Sequence, residues 1–265
     1  MTDRVYSFKM RLTAPAMLFT FCLTLASPVS AEETCRPYPF DDAPPDMQLI
    51  LNAAAPALDR FPYYRASLAN ERPKMCLDDG PLGARGFLDV DGNRIVISTR
   101  LTLDEQMVIF LHELRHLQQI GEGFCPASTL SMAENARAVF ALEADAMAVT
   151  TMVAWTLADA GLHGAWQALT DWPLYGDIPV AFQRAIDRGA DETGASAAAF
   201  YQWYGSDWRR ESYYIAACSD YLDRQDESNA LPQYQLLPPE FLSTLCRLPD
   251  GTDYPCAEPE DLGRP

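Results

Sequence analysis

The stretch from Thr102 to Gly121 constrains this chain more than any other. Thr102 with Glu105 three residues later has the form of a capping box. Leu103, Met107, Phe110, Leu111, Leu114 and Leu117 then recur at helical spacing, so a helix is expected over roughly 103–120 with Gly121 as its stop. Inside it stand His112, Glu113, Leu114, Arg115 and His116. Residues four apart on a helix project from the same side, so the two imidazoles can reach one metal ion. Glu113 lies beside that position and can take a proton from a water held by the metal, whose pKa zinc lowers toward about 7. A chance match on a solvated face is the plain alternative. Two features weigh against it: the helix is signalled independently, and both histidines lie off the Met107, Phe110, Leu114, Leu117 stripe.

A catalytic zinc needs a third protein ligand and an open position. A second long helix begins at Ser131, which with Glu134 forms another capping pattern, and runs to about Ala160 before Gly161. Its interior carries Glu143 and Asp145 among alanines, and a carboxylate is costly to bury there without a partner. Glu143 is favoured over Asp145 as the ligand, with the other hydrogen-bonding a ligand histidine from behind. Glu134 is explained by capping. An oxyanion formed in amide hydrolysis calls for a further donor. The candidates are His163, Tyr213, Tyr214, Arg209 and Arg210.

The rest of the chain reads as mainly helical. Residues 32–47 form an irregular lead-in, Met47–Leu58 a first helix, and Phe87–Val90 and Arg94–Ser98 a β-hairpin turning at Asp91-Gly92-Asn93. Further helices are expected over Pro179–Arg188, Ala195–Tyr204 and Asp207–Leu222. Phe200 to Tyr204 with Trp208 reads as core or cleft wall rather than a binding box.

The segment from Ile95 to about Val149, with His112-Glu113-x-x-His116 followed by Glu143-Ala144-Asp145-Ala146, resembles the gluzincin metallopeptidases. It is most similar to bacterial families that pair H-E-L-x-H with a downstream E-A-D-A. The resemblance implies a zincin-like fold, Zn2+ held by His112, His116 and Glu143, and Glu113 as general base. It departs from the membrane-associated gluzincins with E-x-x-A-D, whose ligand position is Ala141 in this chain.

Export fits this chemistry. Arg4, Lys9 and Arg11 precede the apolar Leu12–Leu25 and the small residues Val29-Ser30-Ala31, the form of a signal peptide over residues 1–31. The apolar run is short of the roughly 20 residues of a membrane span. Apart from Cys22 in that segment, the cysteines are Cys35, Cys76, Cys125, Cys218, Cys246 and Cys256. An even set in an oxidising compartment predicts three disulfides, Cys246–Cys256 first among them, which leaves no thiol nucleophile. The formal net charge of −17 argues against nucleic acid and anionic lipid as partners and favours cationic substrates. No G-x-S-x-G motif or glycine-rich phosphate loop competes.

The sequence thus predicts a single α+β, mainly α, zincin-like domain over residues 32–265, with a small hairpin ahead of the active-site helix. It would act in the periplasm or outside the cell on a peptide or protein. An exported binding protein on the same scaffold, or an amidase acting on peptidoglycan, are the alternatives.

Overall fold

A computed structural model describes residues 34–79, 84–125 and 129–260. The expected signal segment lies outside these. The architecture is α+β and mainly helical, as expected, but the sheet is larger than a hairpin. Strands β1 (Thr34–Pro37), β2 (Lys74–Asp78), β3 (Gly86–Asp89) and β4 (Arg94–Ser98) form a four-stranded sheet in the order β1-β2-β4-β3. β2 and β4 run parallel, and the flanking pairs are antiparallel. The lead-in segment is therefore not wholly irregular. Its strand is only four residues long, too short for a period of two to register, and the Cys35–Cys76 disulfide joins it directly to β2.

The expected hairpin is β3–β4. The Asp89 carboxylate accepts from the Gly92 N–H at 3.1 Å and pairs with Arg94 at 2.7 Å, while Asn93 takes the left-handed conformation that asparagine tolerates. β3 ends the sheet.

Helix α3 (Leu103–Gly121) packs on β3 and β4, and α1 (Pro45–Arg60), α2 (Pro62–Glu71), α4 (Met132–Asp159) and α5 (Gly164–Thr170) pack around α3. Then follow α6 (Asp177–Asp187), α7 (Glu192–Trp203), α8 (Asp207–Ser228) and the short α9 (Phe241–Leu245). Three helices absent from the sequence reading, α2, α5 and α9, are short, and α9 lies in the proline-rich stretch after Leu231 that reads as loop. α8 runs past the expected Leu222 to Ser228, where Asn229 closes it in the left-handed conformation.

α3 begins at the complete Thr102–Glu105 capping box. It is more enclosed than a one-faced helix: every residue from Met107 to Gln119 is buried, because α1, α2, α4, α5 and the sheet surround it. At the start of α4 the Ser131 hydroxyl accepts from the Glu134 N–H, but the reciprocal half of the expected box is missing. The Glu134 carboxylate accepts from the Leu237 N–H at 3.0 Å and from Arg137. α4 is unbroken over 28 residues. By length and composition it could cross a membrane, yet 83% of its most apolar window is buried against its neighbours, as in a core helix.

The two central helices are tied by a buried ion pair. Arg115 Nε lies 2.7 Å from Asp145 Oδ2, with side chains 1% and 0% exposed. Arg115 also donates to the Leu245 carbonyl, and Tyr254 donates to Asp145 Oδ1 at 2.6 Å. The C-terminal segment carrying these groups is closed by Cys246–Cys256, the pairing the sequence put first.

The third expected disulfide is absent. Cys125 and Cys218 are free: Cys125 is exposed in the loop after α3, and Cys218 sits on α8 in contact with Tyr214. Asp145→Ala leaves the Arg115 guanidinium buried without its counter-charge. It should cost about 3–5 kcal/mol in urea unfolding, and an Arg115→Met/Asp145→Leu pair should cost distinctly less. Equal losses would contradict the ion-pair account.

Candidate metal centre and active site

α3 and α4 bring His112, His116 and Glu143 together in the interior, with 2%, 7% and 4% of their surfaces exposed. The imidazole Nε2 atoms are 3.1 Å apart, and the Glu143 carboxylate approaches them at 3.4 Å (His116) and 3.6 Å (His112). Ligand atoms at about 2.0–2.1 Å from a tetrahedral zinc are separated by about 3.3–3.4 Å, so the triangle has the size such an ion requires. Glu143 Oε2 and His112 Nδ1 are buried without hydrogen-bond partners, a costly arrangement for a site lacking a cation.

The histidine tautomer is set from behind. Gln119 donates its amide to the Leu142 carbonyl at 3.0 Å and to Asp145 Oδ2 at 2.6 Å, which orients its Oε1 toward His116 Nδ1 at 2.8 Å. Nδ1 therefore keeps its proton in either charge state, and when the ring is neutral it is Nε2 that presents its lone pair inward. Two residues apart on α4, Glu143 and Asp145 point to different sides. Both Asp145 oxygens are occupied by Tyr254, Arg115 and Gln119, so Asp145 does not join the histidine cluster. Contrary to expectation it does not touch a histidine directly but acts through Gln119.

Electrostatics follow from this burial. Desolvation works against the charged form of His116, but the Glu143 and Glu113 carboxylates and Gln119 carry it up to about 9. Burial likewise pushes Glu143 up, and the two histidines outweigh it, bringing the carboxyl down to about 2. Glu113 is 1% exposed and shifted upward by burial, although His112 and His116 oppose the shift. It accepts a hydrogen bond from the Leu88 N–H of β3, while its Oε2 has no partner. The edge strand thus runs beside the prospective base.

Of the oxyanion candidates, only Tyr213 reaches the site. It is 3% exposed, hydrogen-bonds Glu143, and contacts Tyr175 at 3.2 Å between hydroxyls. Burial first, then Glu143, keep its hydroxyl protonated well above the ordinary range. The other candidates lie elsewhere. Arg209 is locked to Asp177 and to the Trp203, Leu174 and Gln202 carbonyls, bracing α6 and α7. Arg210 pairs with Asp207 and the Tyr204 carbonyl. Tyr214 contacts Cys218, and His163 is exposed at the start of α5. Phe200, Trp203 and Tyr204 are core residues, as the structural reading of that run expected, whereas Tyr201 is exposed.

Gln119, Arg115, Tyr254 and the Leu88 N–H escaped the sequence reading. A polar pair at Gln118-Gln119, one turn beyond His116 on a helix now known to be buried, is the only signal that could have suggested the first of them.

A cleft of about 1220 Å³ opens onto His116 and Glu143. β3 and its turn form one wall and the C-terminal half of α8 the other.

No curated protein and no solved structure matches the chain. The family model that does match is described as "Putative metallopeptidase family (DUF6782)" and spans residues 29–256, which includes every residue of the centre described above. A buried pair of histidines and a glutamate sized for a metal ion is what such a family description calls for, and the chain belongs to this metallopeptidase family.

Proposed function

We propose that the protein is an exported, zinc-dependent metallopeptidase of the zincin type, folded as one domain from about residue 32. The observation that carries this reading is the closed triangle of His112, His116 and Glu143 with Glu113 alongside and an open cleft in front. A structural zinc site needs neither a fourth open position nor a buried carboxylate poised as a base. The two disulfides are compatible with an extracellular or periplasmic setting.

The two imidazoles and Glu143 would hold the ion, and zinc, when bound, supplies Lewis acidity that makes water acidic near neutral pH and polarises a carbonyl. Glu113 Oε2 is positioned to accept the proton of the attacking water, and its raised pKa suits it to pass that proton to the leaving amine. The Tyr213 hydroxyl, protonated throughout the working range, donates a hydrogen bond to the oxyanion. β3 ends the sheet beside Glu113, the placement from which an extended chain can be laid alongside a strand.

Elemental analysis should find about one zinc per chain, lost in His116→Ala and in Glu143→Ala. Glu113→Gln should keep the zinc and lose at least about a hundredfold in kcat on a peptide substrate. Full activity in Glu113→Gln would end the peptidase reading. Tyr213→Phe should lower kcat by about ten- to a thousandfold with KM little changed. A change confined to KM would assign Tyr213 to substrate binding instead.

Metal affinity should depend on pH. In the metal-free protein His116 is protonated below about 9 and must lose that proton to ligate. Apparent zinc affinity, measured by chelator competition, should therefore rise about tenfold per unit between pH 7 and 8.5. The same raised pKa stabilises the metal-free fold fully below the ordinary value of 6.5, a contribution lost as pH rises through about 9. A flat affinity profile over that range would contradict the assignment of His116.

A further inference from the structure

Behind the metal centre, a series of hydrogen bonds runs from His116 to a covalently closed loop near the C-terminus. His116 Nδ1 meets Gln119 Oε1 at 2.8 Å, Gln119 donates to Asp145 Oδ2 at 2.6 Å, and Asp145 Oδ1 takes the Tyr254 hydroxyl at 2.6 Å. Tyr254 is 4% exposed, with its ring 6.4 Å from that of Phe200 on α7. It lies between Cys246 and Cys256, which are bonded to each other. The loop they close doubles back at Gly251, whose φ is +93°, and the Tyr254 N–H donates to the Cys246 carbonyl at 3.0 Å. Arg247 and Asp253 pair across the loop, but both are exposed, and such a pair adds little. Outside the loop the chain is anchored on either side: the Leu245 carbonyl accepts from Arg115, and Glu258 pairs with Arg137 of α4. The disulfide is the covalent tie that holds Tyr254 between these anchors.

Each link restricts the next. Asp145 Oδ2 serves Arg115 as well as Gln119, and Tyr254 answers the other oxygen. Without that hydroxyl, Oδ1 becomes a buried carboxylate oxygen lacking its donor, which is costly. The carboxylate torsion is soft, so the group turns toward another donor and draws Oδ2 away from Gln119. The Tyr64 hydroxyl, buried without a partner and subject to the Asp145 charge, is such a donor. The Gln119 amide then loses one of the two acceptors that fix its direction, the other being the Leu142 carbonyl. Turned over, it presents Nε2 to His116 Nδ1, which must then accept, and the ring proton moves to His116 Nε2. That nitrogen faces His112 and Glu143, and once protonated it cannot bind a metal.

We infer that Tyr254 is a positioning residue for the metal centre, and that the Cys246–Cys256 disulfide, by closing the loop that carries it, makes the centre able to hold its ion tightly. The inference rests on the metal centre of the proposed function and not on peptide hydrolysis. When the loop closes, two thiols become one disulfide, and their two protons and two electrons pass to an external disulfide that leaves as two thiols. Oxidation of this pair thus couples completion of the loop to tight metal binding, and the reduced chain holds the ion weakly.

The test reads zinc affinity by chelator competition at a single pH, and ligand geometry by the visible spectrum of Co2+ loaded in place of zinc. Tyr254→Phe, which removes one oxygen atom, should weaken zinc binding about tenfold and shift the Co2+ bands, and Gln119→Ala should weaken it by about ten- to a hundredfold. Because both act through one series of contacts, adding Tyr254→Phe to Gln119→Ala should cost little further. Cys246→Ser/Cys256→Ser should weaken binding at least as much as Tyr254→Phe, whereas Cys35→Ser/Cys76→Ser, which opens the other disulfide, should leave it unchanged. In the latter protein a phosphine that reduces Cys246–Cys256 should weaken binding likewise, and oxidised glutathione should restore it, whether or not the Cys246→Ser/Cys256→Ser chain folds. Unchanged affinity and Co2+ spectrum in Tyr254→Phe, a loss fully additive with that of Gln119→Ala, or equal losses for the two disulfides would overturn the inference. A parent protein that binds no zinc would remove the metal centre and the inference with it. The expected losses in a protein that cleaves no peptide would support the inference and remove the peptidase reading alone.

Discussion

The buried pair of Arg115 and Asp145 is the contact on which the rest of the centre depends. Two ionised groups are withdrawn from water between α3 and α4, and such a burial is tolerable only when every donor and acceptor is answered. Arg115 meets Asp145, Gln118 and the Leu245 carbonyl; Asp145 meets Arg115, Gln119 and Tyr254. These requirements fix the rotation and register of the two helices relative to each other. Once they are fixed, Glu143, two residues away on the other side of α4, faces the imidazoles.

The same network reaches the metal position through Gln119, which has no freedom to turn its amide because Asp145 and the Leu142 carbonyl hold its nitrogen. The ring orientation and tautomer of His116 are thus set by groups that lie behind it. The Cys246–Cys256 loop belongs to this frame as well, since it carries Tyr254 between its cysteines and begins beside Leu245. Rigidity is concentrated behind the centre, while the side facing the cleft is formed by an edge strand and a surface helix. That division would suit the proposed peptidase, whose ligands must be held while substrates come and go.

Charge is divided in the same way. Inside, Glu143 and His116 pull each other's proton affinities apart, and burial raises Glu113. Outside, Asp91, Asp220, Asp223 and Glu227 line the cleft together with Lys74, Arg94 and Arg224, the last paired with Asp220 and held by Asn135. The overall acidity of the chain was visible in its composition, but a total says nothing about where charges converge. Their gathering follows from α8 extending to Ser228 and placing its last turns opposite the hairpin.

What the sequence determined by itself was local. The Thr102–Glu105 cap, the helical period to Leu117 and the four-residue spacing of His112 and His116 depend only on neighbouring residues, and a helix forms from them whatever surrounds it. The β3–β4 turn and the close Cys246–Cys256 pairing are local in the same sense. Decisions between distant residues belonged to the tertiary structure. Glu143 and Asp145 are chemically alike and stand two positions apart, so nothing in their spacing tells which meets the histidines; the counter-charge of Arg115 decides it. Tyr213 was distinguishable from Tyr214, Arg209, Arg210 and His163 only once α8 was docked on α4. The parallel pairing of β2 with β4, and the failure of Cys125 and Cys218 to join, likewise follow from how far-separated segments meet. Side-chain periodicity specifies a surface, whereas the partner of that surface is chosen by the packing of the whole chain.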